Sequence, residues 1–353
     1  PKEKKLGQIF PVSDSAEEVR TALLGLFLRS GGRIFYDQEI LGVEKVGSVF
    51  QVKVRAGANG EAAIFQSPKL LVATGGKAYP QLGATDFALK LAMQFGLRVT
   101  DTAPALVPLT FGKKYQSLFR KISGLSLGIR VSASGLSARK ISFDENLLFA
   151  HFGLTGPAIL QISSYWREKE KIKIRFFPQV KGSQDAGPSS RVAGPSSERS
   201  ERTGDRRERP GQEKAENETS LEGEITRARE TNPLKKIRTF LAEKYSDNFL
   251  EFLEFHIPLP DKRIADLRRE ERKALVDFCE ALELSPTGTM GYAKAEVMRG
   301  GVDTAELQAA TMECKKVPGL YFAGEAVDVT GWLGGYNFQW AWASGFVAGK
   351  NAL

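Results

Sequence analysis

Two carboxylates and one imidazole stand out by their position in the chain. Glu325 and Asp328 follow the apolar run Leu320-Tyr321-Phe322-Ala323-Gly324, and beyond them Gly334-Gly335-Tyr336-Asn337-Phe338 opens a stretch with helical spacing that reaches Ala348. Glycine at 324 lets the backbone approach a bound molecule with no Cβ in the way. A carboxylate such as Glu325, at the carboxyl end of a buried parallel strand, sits where ligands bind in open α/β sheets. Gly334 and Gly335 can take φ > 0, and a helix starting there turns free N–H groups and the positive end of its dipole toward a ligand, which stabilises negative charge. His151 lies in Ala150-His151-Phe152-Gly153-Leu154-Thr155-Gly156-Pro157-Ala158 and is the residue suited to proton delivery near neutral pH. A hydrogen bond to its own glycine-rich turn is the competing reading, and for Asp328 the alternative to a ligand contact is an Asx turn.

These residues need strands to position them. Lys69 to Ala73 reads as a buried strand ending in Thr74-Gly75-Gly76, a partner for the Leu320 strand. An apolar strand that runs into Ala-Gly-Glu, followed by a glycine pair opening a helix, resembles the way two-domain flavoproteins close over FAD. A helix is expected from Ala16 to about Ser30, capped by Asp14 or Ser15, with Val19, Leu23, Leu24, Phe27 and Leu28 at helical spacing. Arg33–Tyr36, Glu39–Val46, Val49–Val54 and Ala62–Gln66 read as strands.

The middle of the chain reads as an inserted domain. Strands are expected at Leu106–Phe111, Gly128–Ala133, Ala138–Phe143 and Lys171–Phe177, forming a small barrel or sheet. Helices are expected at Ala158–Trp166, Leu234–Lys244, Asn248–Phe255 and Glu270–Leu282. From Gly182 to about Glu230 the composition is Ser, Pro, Gly, Arg and Glu, with Val192, Leu221 and Ile225 the large aliphatics, so this tract is expected to be disordered.

Composition narrows the chemistry. The 353 residues are 42% hydrophobic and 26% charged, the balance of a globular chain long enough for two domains. The two cysteines, Cys279 and Cys314, form no CxxC and no metal-spaced set, and the histidines are His151 and His256, so neither a metal site, a disulfide framework nor a Ser/His/Asp triad is expected. Pro1 to Lys5 is charged and Leu6 to Val12 too short for an export segment. The uncharged stretch Asn146–Trp166 carries too many polar residues for a bilayer, so the expected setting is the cytoplasm, with no membrane. The net charge of +8 is spread without interleaved aromatics, so a small-molecule substrate and no nucleic acid partner are expected.

With Ala78-Tyr79-Pro80, Gly83-Ala84-Thr85-Asp86 and Arg299-Gly300-Gly301-Val302 added, the motifs closely resemble the YhiN-like FAD-dependent oxidoreductases, which include aminoacetone oxidase and a reductase of a bile-acid operon. The resemblance covers nearly all of the chain except the polar tract. It implies an α/β fold in which a FAD/NAD(P)-binding Rossmann-like domain (residues 1–105 and 289–353) carries an inserted β-barrel and helical domain (106–288). It implies FAD, held by Ile40, Ala73, Thr74, Gly75, Gly76, Tyr79, Gly324, Glu325, Asp328, Gly334, Gly335, Tyr336, Asn337 and Phe338, with NAD(P)H as one candidate donor. The reaction implied is hydride transfer through flavin N5 between NAD(P)H, or an amine or hydroxy substrate, and an organic acceptor or O2. The resembled family also begins with a strand, a GxGxxG turn and a helix, and no GxGxxG occurs here. The Rossmann-like domain is therefore expected to be N-terminally incomplete and, alone, to bind FAD weakly or not at all. A tRNA-modifying flavoprotein and a non-catalytic remnant are the alternatives.

Overall fold

The computed structural model describes residues 1–4, 7–57, 60–134, 140–177 and 220–352. It divides into unit 1, made of Pro1–Lys77, Leu82–Thr102 and Met298–Leu353, and unit 2, made of Ala78–Gln81 and Ala103–Val297.

Unit 1 opens with an antiparallel hairpin of β1 (Lys2–Lys4) and β2 (Gln8–Phe10), followed by α1 (Ala16–Arg29). Glu17 and Glu18 in its first turn and Arg29 in its last match the helix dipole. The apolar spacing in α1 predicts a packed helix, yet none of its side chains is buried, and Leu26 is 58% exposed. The strand expected at Arg33–Tyr36 is irregular instead, because Gly32 donates to the Phe27 carbonyl as the helix ends and Asp37 adopts φ 55°. Next come β3 (Gln38–Val46), β4 (Val49–Ala56) and β5 (Ala62–Ser67), an antiparallel meander whose Val43, Phe50 and Val54 face inward. The chain continues into β6 (Leu70–Val72) and α2 (Phe87–Gln94), which buries Ala88, Leu89, Leu91 and Ala92.

Unit 2 contains β7 (Ala103–Ala105), β8 (Leu109–Thr110), α3 (Lys113–Lys121), β9 (Ser126–Ser134), β10 (Lys140–Ala150), β11 (Gly153–Thr155), α4 (Pro157–Ser163) and β12 (Ile172–Phe176). It continues with α5 (Leu221–Thr231), α6 (Ile237–Ala242), α7 (Asp247–His256), α8 (Arg269–Ala281), β13 (Leu282–Leu284) and β14 (Gly288–Thr289). The expected barrel is an open seven-stranded sheet, ordered β13-β12-β9-β10-β11-β8-β14. Its outer strands are two or three residues long, too short to sustain the tilt and stagger of a closed cylinder. Phe149 and Phe176 point from the sheet into a ring cluster with Phe252, Phe249 and Phe278, the Phe149 and Phe252 centroids 4.9 Å apart. His256 belongs to this packing: its Nδ1 lies 2.8 Å from the Phe252 carbonyl, and burial holds its pKa below the ordinary value.

The tract expected to be disordered through Glu230 ends earlier. Leu221–Thr231 is helical because Ser220 caps it, accepting from the Gly223 N–H, and because Leu221 and Ile225 share a buried face. Residues 182–219 of that tract lie outside the described residues.

Unit 1 resumes through β15 (Val297–Arg299), whose first residue ends unit 2, and then β16 (Leu320–Phe322) and α9 (Gly334–Ala352). The core of unit 1 gathers Phe50, Val72, Leu91, Val302, Leu320 and Phe322. α9 buries Ser344 and Ala348, while Phe338, Trp342 and Phe346 form an exposed stripe at helical spacing.

Candidate cofactor site

The two glycine-ended strands lie side by side. β16 pairs with β6 in parallel, Leu320 opposite Leu70 and Phe322 opposite Val72, and the Ala323 N–H donates to the Val72 carbonyl at 3.1 Å. Their carboxyl ends therefore emerge together, Ala73-Thr74-Gly75-Gly76 beside Ala323-Gly324-Glu325. Ala73 and Thr74 are exposed and Gly76 is buried, so this end is open to a ligand but has a packed floor.

That floor is built around Glu325. Its Oε1 accepts from the Met298 N–H at 2.9 Å, and burial raises the carboxyl pKa, partly countered by that hydrogen bond. A Cβ on Gly76 would stand 2.7 Å from Met298 Cε and 2.9 Å from Glu325 Oε1, so a side chain there would displace the carboxyl group. Gly324 turns the chain with φ 68°. Its N–H donates to Ser344 Oγ at 2.9 Å and its carbonyl accepts from Trp340 Nε1 at 3.0 Å, which ties the strand end to α9. The Gly324 amide is thus already used, and Glu325 is the next residue placed to meet a ligand.

Asp328 is anchored from behind. Thr100 Oγ1 donates to its Oδ2 at 2.8 Å, and the Gly301 N–H donates to Thr100 Oγ1 at 3.0 Å. Gly301 has φ 152° and packs so closely that a Cβ would lie 2.7 Å from the Ala326 carbonyl oxygen. Asp328 so locks the loop after Glu325 onto the Gly300-Gly301 turn.

The helix start differs from expectation. α9 begins at Gly334, and neither Gly334 nor Gly335 has positive φ. The turn before the helix is held by Asn337, whose Oδ1 accepts from the Gly331 N–H at 2.9 Å and whose Nδ2 donates to the Leu333 carbonyl at 2.9 Å. The Tyr336 and Asn337 amides donate to the same Leu333 carbonyl, so the first-turn amides left for an anion are those of Gly334 and Gly335. Tyr336 and Phe338 expose their rings. Close backbone approach at two strand ends, a half-buried carboxyl group and a glycine-opened helix fit a flavin.

Of the other expected residues, one lies elsewhere in unit 1 and two belong to unit 2. Ile40 is on β3 opposite Val54, beside a bulge, in the meander rather than at the parallel strand ends. Tyr79 belongs to unit 2, where its N–H donates to the Tyr292 carbonyl and its φ is 59°. His151, also in unit 2, is exposed on the β10–β11 turn, edge-on to Phe152 with centroids 5.0 Å apart. Cys279 and Cys314 are buried, and burial pushes both thiols up to about 12, which removes them from thiolate chemistry.

Thr100, Met298, Trp340 and Ser344 escaped the sequence reading. Trp340 and Ser344 are four apart on the helix that follows the strand end, a spacing that could have marked them as facing Gly324. Thr100 and Met298 reach the site only through the fold.

Strand ends, carboxyl group and helix start together define a Rossmann-type cofactor-binding protein. The model of the HI0933-like protein Rossmann domain family matches residues 1–351, and the chain belongs to that family. Membership implies a flavin and carries the broad reading of an oxidoreductase. Two proteins called ribosomal RNA dihydrouridine synthase, from Haemophilus influenzae and Escherichia coli, are 35% and 34% identical over 98% and 99% of this chain and 74% and 75% of their own lengths. A 3-dehydro-bile acid delta(4,6)-reductase of Clostridium scindens is 27% identical over 98% of this chain and 75% of its own. The expectation of no nucleic acid partner is overturned by the first two relatives, whose names specify RNA. It failed because a basic excess was sought as a long docking region with interleaved aromatics. Among the described residues, no helix is long and apolar enough to cross a membrane.

Proposed function

We propose that this chain reduces uridine in ribosomal RNA to dihydrouridine as a flavin-dependent enzyme. The observation that carries this reading is the 34–35% identity to the two synthases, spread over 98% or more of the chain. The bile-acid relative supports the reaction type. Making dihydrouridine and removing a delta(4,6) unsaturation from a 3-oxo ring system both saturate an alkene conjugated to a carbonyl, which takes a hydride at the far carbon and a proton at the near one.

When bound, reduced flavin supplies the hydride, and NAD(P)H is the proposed source of its electrons. The chain's own residues hold the cofactor and direct the proton. Ala73–Gly76 and Gly324–Glu325 would hold it at the paired strand ends, the Gly334 and Gly335 amides would stabilise negative charge on it, and Glu325 fixes the Met298 backbone beside them. His151 is the proposed proton donor.

The test supplies saturating FAD and NADPH to the purified chain with ribosomal RNA lacking dihydrouridine, and digests the RNA for nucleoside mass spectrometry. Uridine gaining the mass of H2 is expected, and bulk tRNA should stay unmodified. Unchanged ribosomal RNA alongside reduction of a 3-oxo-delta(4) steroid would move the chain to the bile-acid chemistry instead. His151→Gln should lower turnover at least about a hundredfold, the low end of a general acid's contribution.

A further inference from the structure

We propose that α3 is an RNA-docking surface, on which Lys113, Lys114 and Arg120 grip backbone phosphates beside the turn that carries His151; this rests on the RNA reading above. Unit 2 holds 33 Lys and Arg against 27 Asp and Glu, so it carries +6 of the chain's +8. Much of that charge is neutralised locally. Lys171, Lys235, Lys236, Lys244, Lys262 and Arg272 each meet a carboxylate.

α3 is different. Its sequence Lys113-Lys114-Tyr115-Gln116-Ser117-Leu118-Phe119-Arg120-Lys121 has four cations and no acid. Leu118 and Phe119 face the core, while Lys113, Lys114, Gln116, Ser117, Arg120 and Lys121 are exposed. Lys121 pairs with Glu251 at 3.3 Å, whereas Lys113, Lys114 and Arg120 have no carboxylate partner among the described residues. Lys114 instead lies 5.6 Å from the Phe255 ring centroid and 5.9 Å from that of Tyr115, contacts that leave its charge uncancelled. On the neighbouring helix α7, Glu251 is engaged by Lys121 and Glu254 by Arg238. Lys113 and Lys114 also occupy the first helical turn, where the dipole disfavours cations, so the fold itself gains nothing from them there. An anionic partner accounts for their placement.

The topology says where that partner lies. α3 leaves β8 just after Thr110, which pairs with Gly153, and returns before β9, where the Gly124 N–H donates to the Phe149 carbonyl. Both ends of the helix are therefore fastened to the hairpin whose turn is Ala150-His151-Phe152-Gly153. A strand of RNA held by its phosphates along α3 runs past the exposed His151. Discrete, accessible cations suit a phosphate backbone, whose release of counterions gives binding a steep salt dependence.

The test compares two triple variants of the full chain that remove the same charge: Lys113→Gln/Lys114→Gln/Arg120→Gln on α3, and Lys235→Gln/Lys236→Gln/Lys273→Gln at ion-paired positions. Affinity for a fluorescent ribosomal RNA fragment is measured against salt, with thermal melting to verify folding. The α3 triple should bind at least about tenfold more weakly and lower the log–log salt slope by about 2, while the control stays near wild type. Equal losses in both variants, or none in either while wild type binds, would overturn the docking surface and leave the RNA reading standing. Failure of the wild-type chain to bind RNA overturns both, as does binding to anionic phosphatidylglycerol vesicles in its place. If the α3 triple melts early, Arg120→Gln alone should lower the slope by about 1.

Discussion

Replacing Gly301 by Ala is expected to destabilise unit 1 by about 2–5 kcal/mol and to abolish flavin retention. The left-handed conformation alone costs an L-residue about 1–2 kcal/mol, and forcing a methyl group into packed backbone adds about 1–3 kcal/mol. Here the new Cβ would meet backbone on one side only: the Ala326 carbonyl oxygen at 2.7 Å, then the Val327 carbonyl carbon and the Asp328 amide at 3.0 Å. None of these is a flexible side chain that can swing away. Relief must come from moving the 326–328 segment, which follows Glu325 directly and ends at Asp328. The Val302 N–H bond to the Ala326 carbonyl and the Thr100 bridge to Asp328 both break in that movement. Urea unfolding followed by circular dichroism, together with flavin fluorescence after gel filtration, would check this. An unfolding midpoint and flavin content equal to wild type would show that the turn yields without consequence.

The positions that matter in this first prediction divide by how they could be read. Gly324, Glu325 and the Ala73–Gly76 end were legible because a short apolar run that stops at glycine has few structural uses, and two such runs in one chain suggest a parallel pair. What Glu325 touches was not legible. Its partner Met298 is an ordinary apolar residue in sequence, and becomes a hydrogen-bond donor to the site only when β15 folds back. Thr100 and Asp328 are likewise joined across the fold. Adjacency to the Gly75-Gly76 turn does not report that Tyr79 joins unit 2. In unit 2 the strands were legible by alternation, but closure into a barrel depends on edge lengths that alternation does not report. The helix Leu221–Thr231 was hidden by its charged composition, since its buried face is only Leu221 and Ile225.

The second large effect belongs to Phe252. Phe252→Ala should cost unit 2 about 3–5 kcal/mol, the range for emptying a fully buried aromatic site. The ring is wholly buried and touches four others: Phe149 at 4.9 Å, Phe176 at 6.1 Å, Phe278 at 5.7 Å and His256 at 4.6 Å between centroids. Those partners come from two sheet strands and two helices, so the cavity cannot close by shifting one element. Phe149 in turn packs against Phe119 of α3 at 5.6 Å, which connects this core to the proposed docking face. The variant should therefore lose RNA affinity as well as stability, although Phe252 itself is inaccessible to RNA. A denaturation shift below about 1 kcal/mol would mean that the surrounding rings collapse into the space.

The pairing of Leu70 with Leu320 also sets the order in which the molecule can assemble. Unit 2 is drawn almost entirely from one continuous run, Ala103–Val297, so its contacts can form as that run leaves the ribosome. Among the described residues, the partner of β6 is β16. That parallel neighbour follows after roughly 250 residues of chain, and closing so long a loop is entropically costly and slow. During synthesis β6 and the apolar residues around it wait with their hydrogen-bonding edge open while unit 2 completes. The cofactor site is the last part of the fold to exist, and the nascent chain is most exposed to misassembly in the interval before β16 emerges.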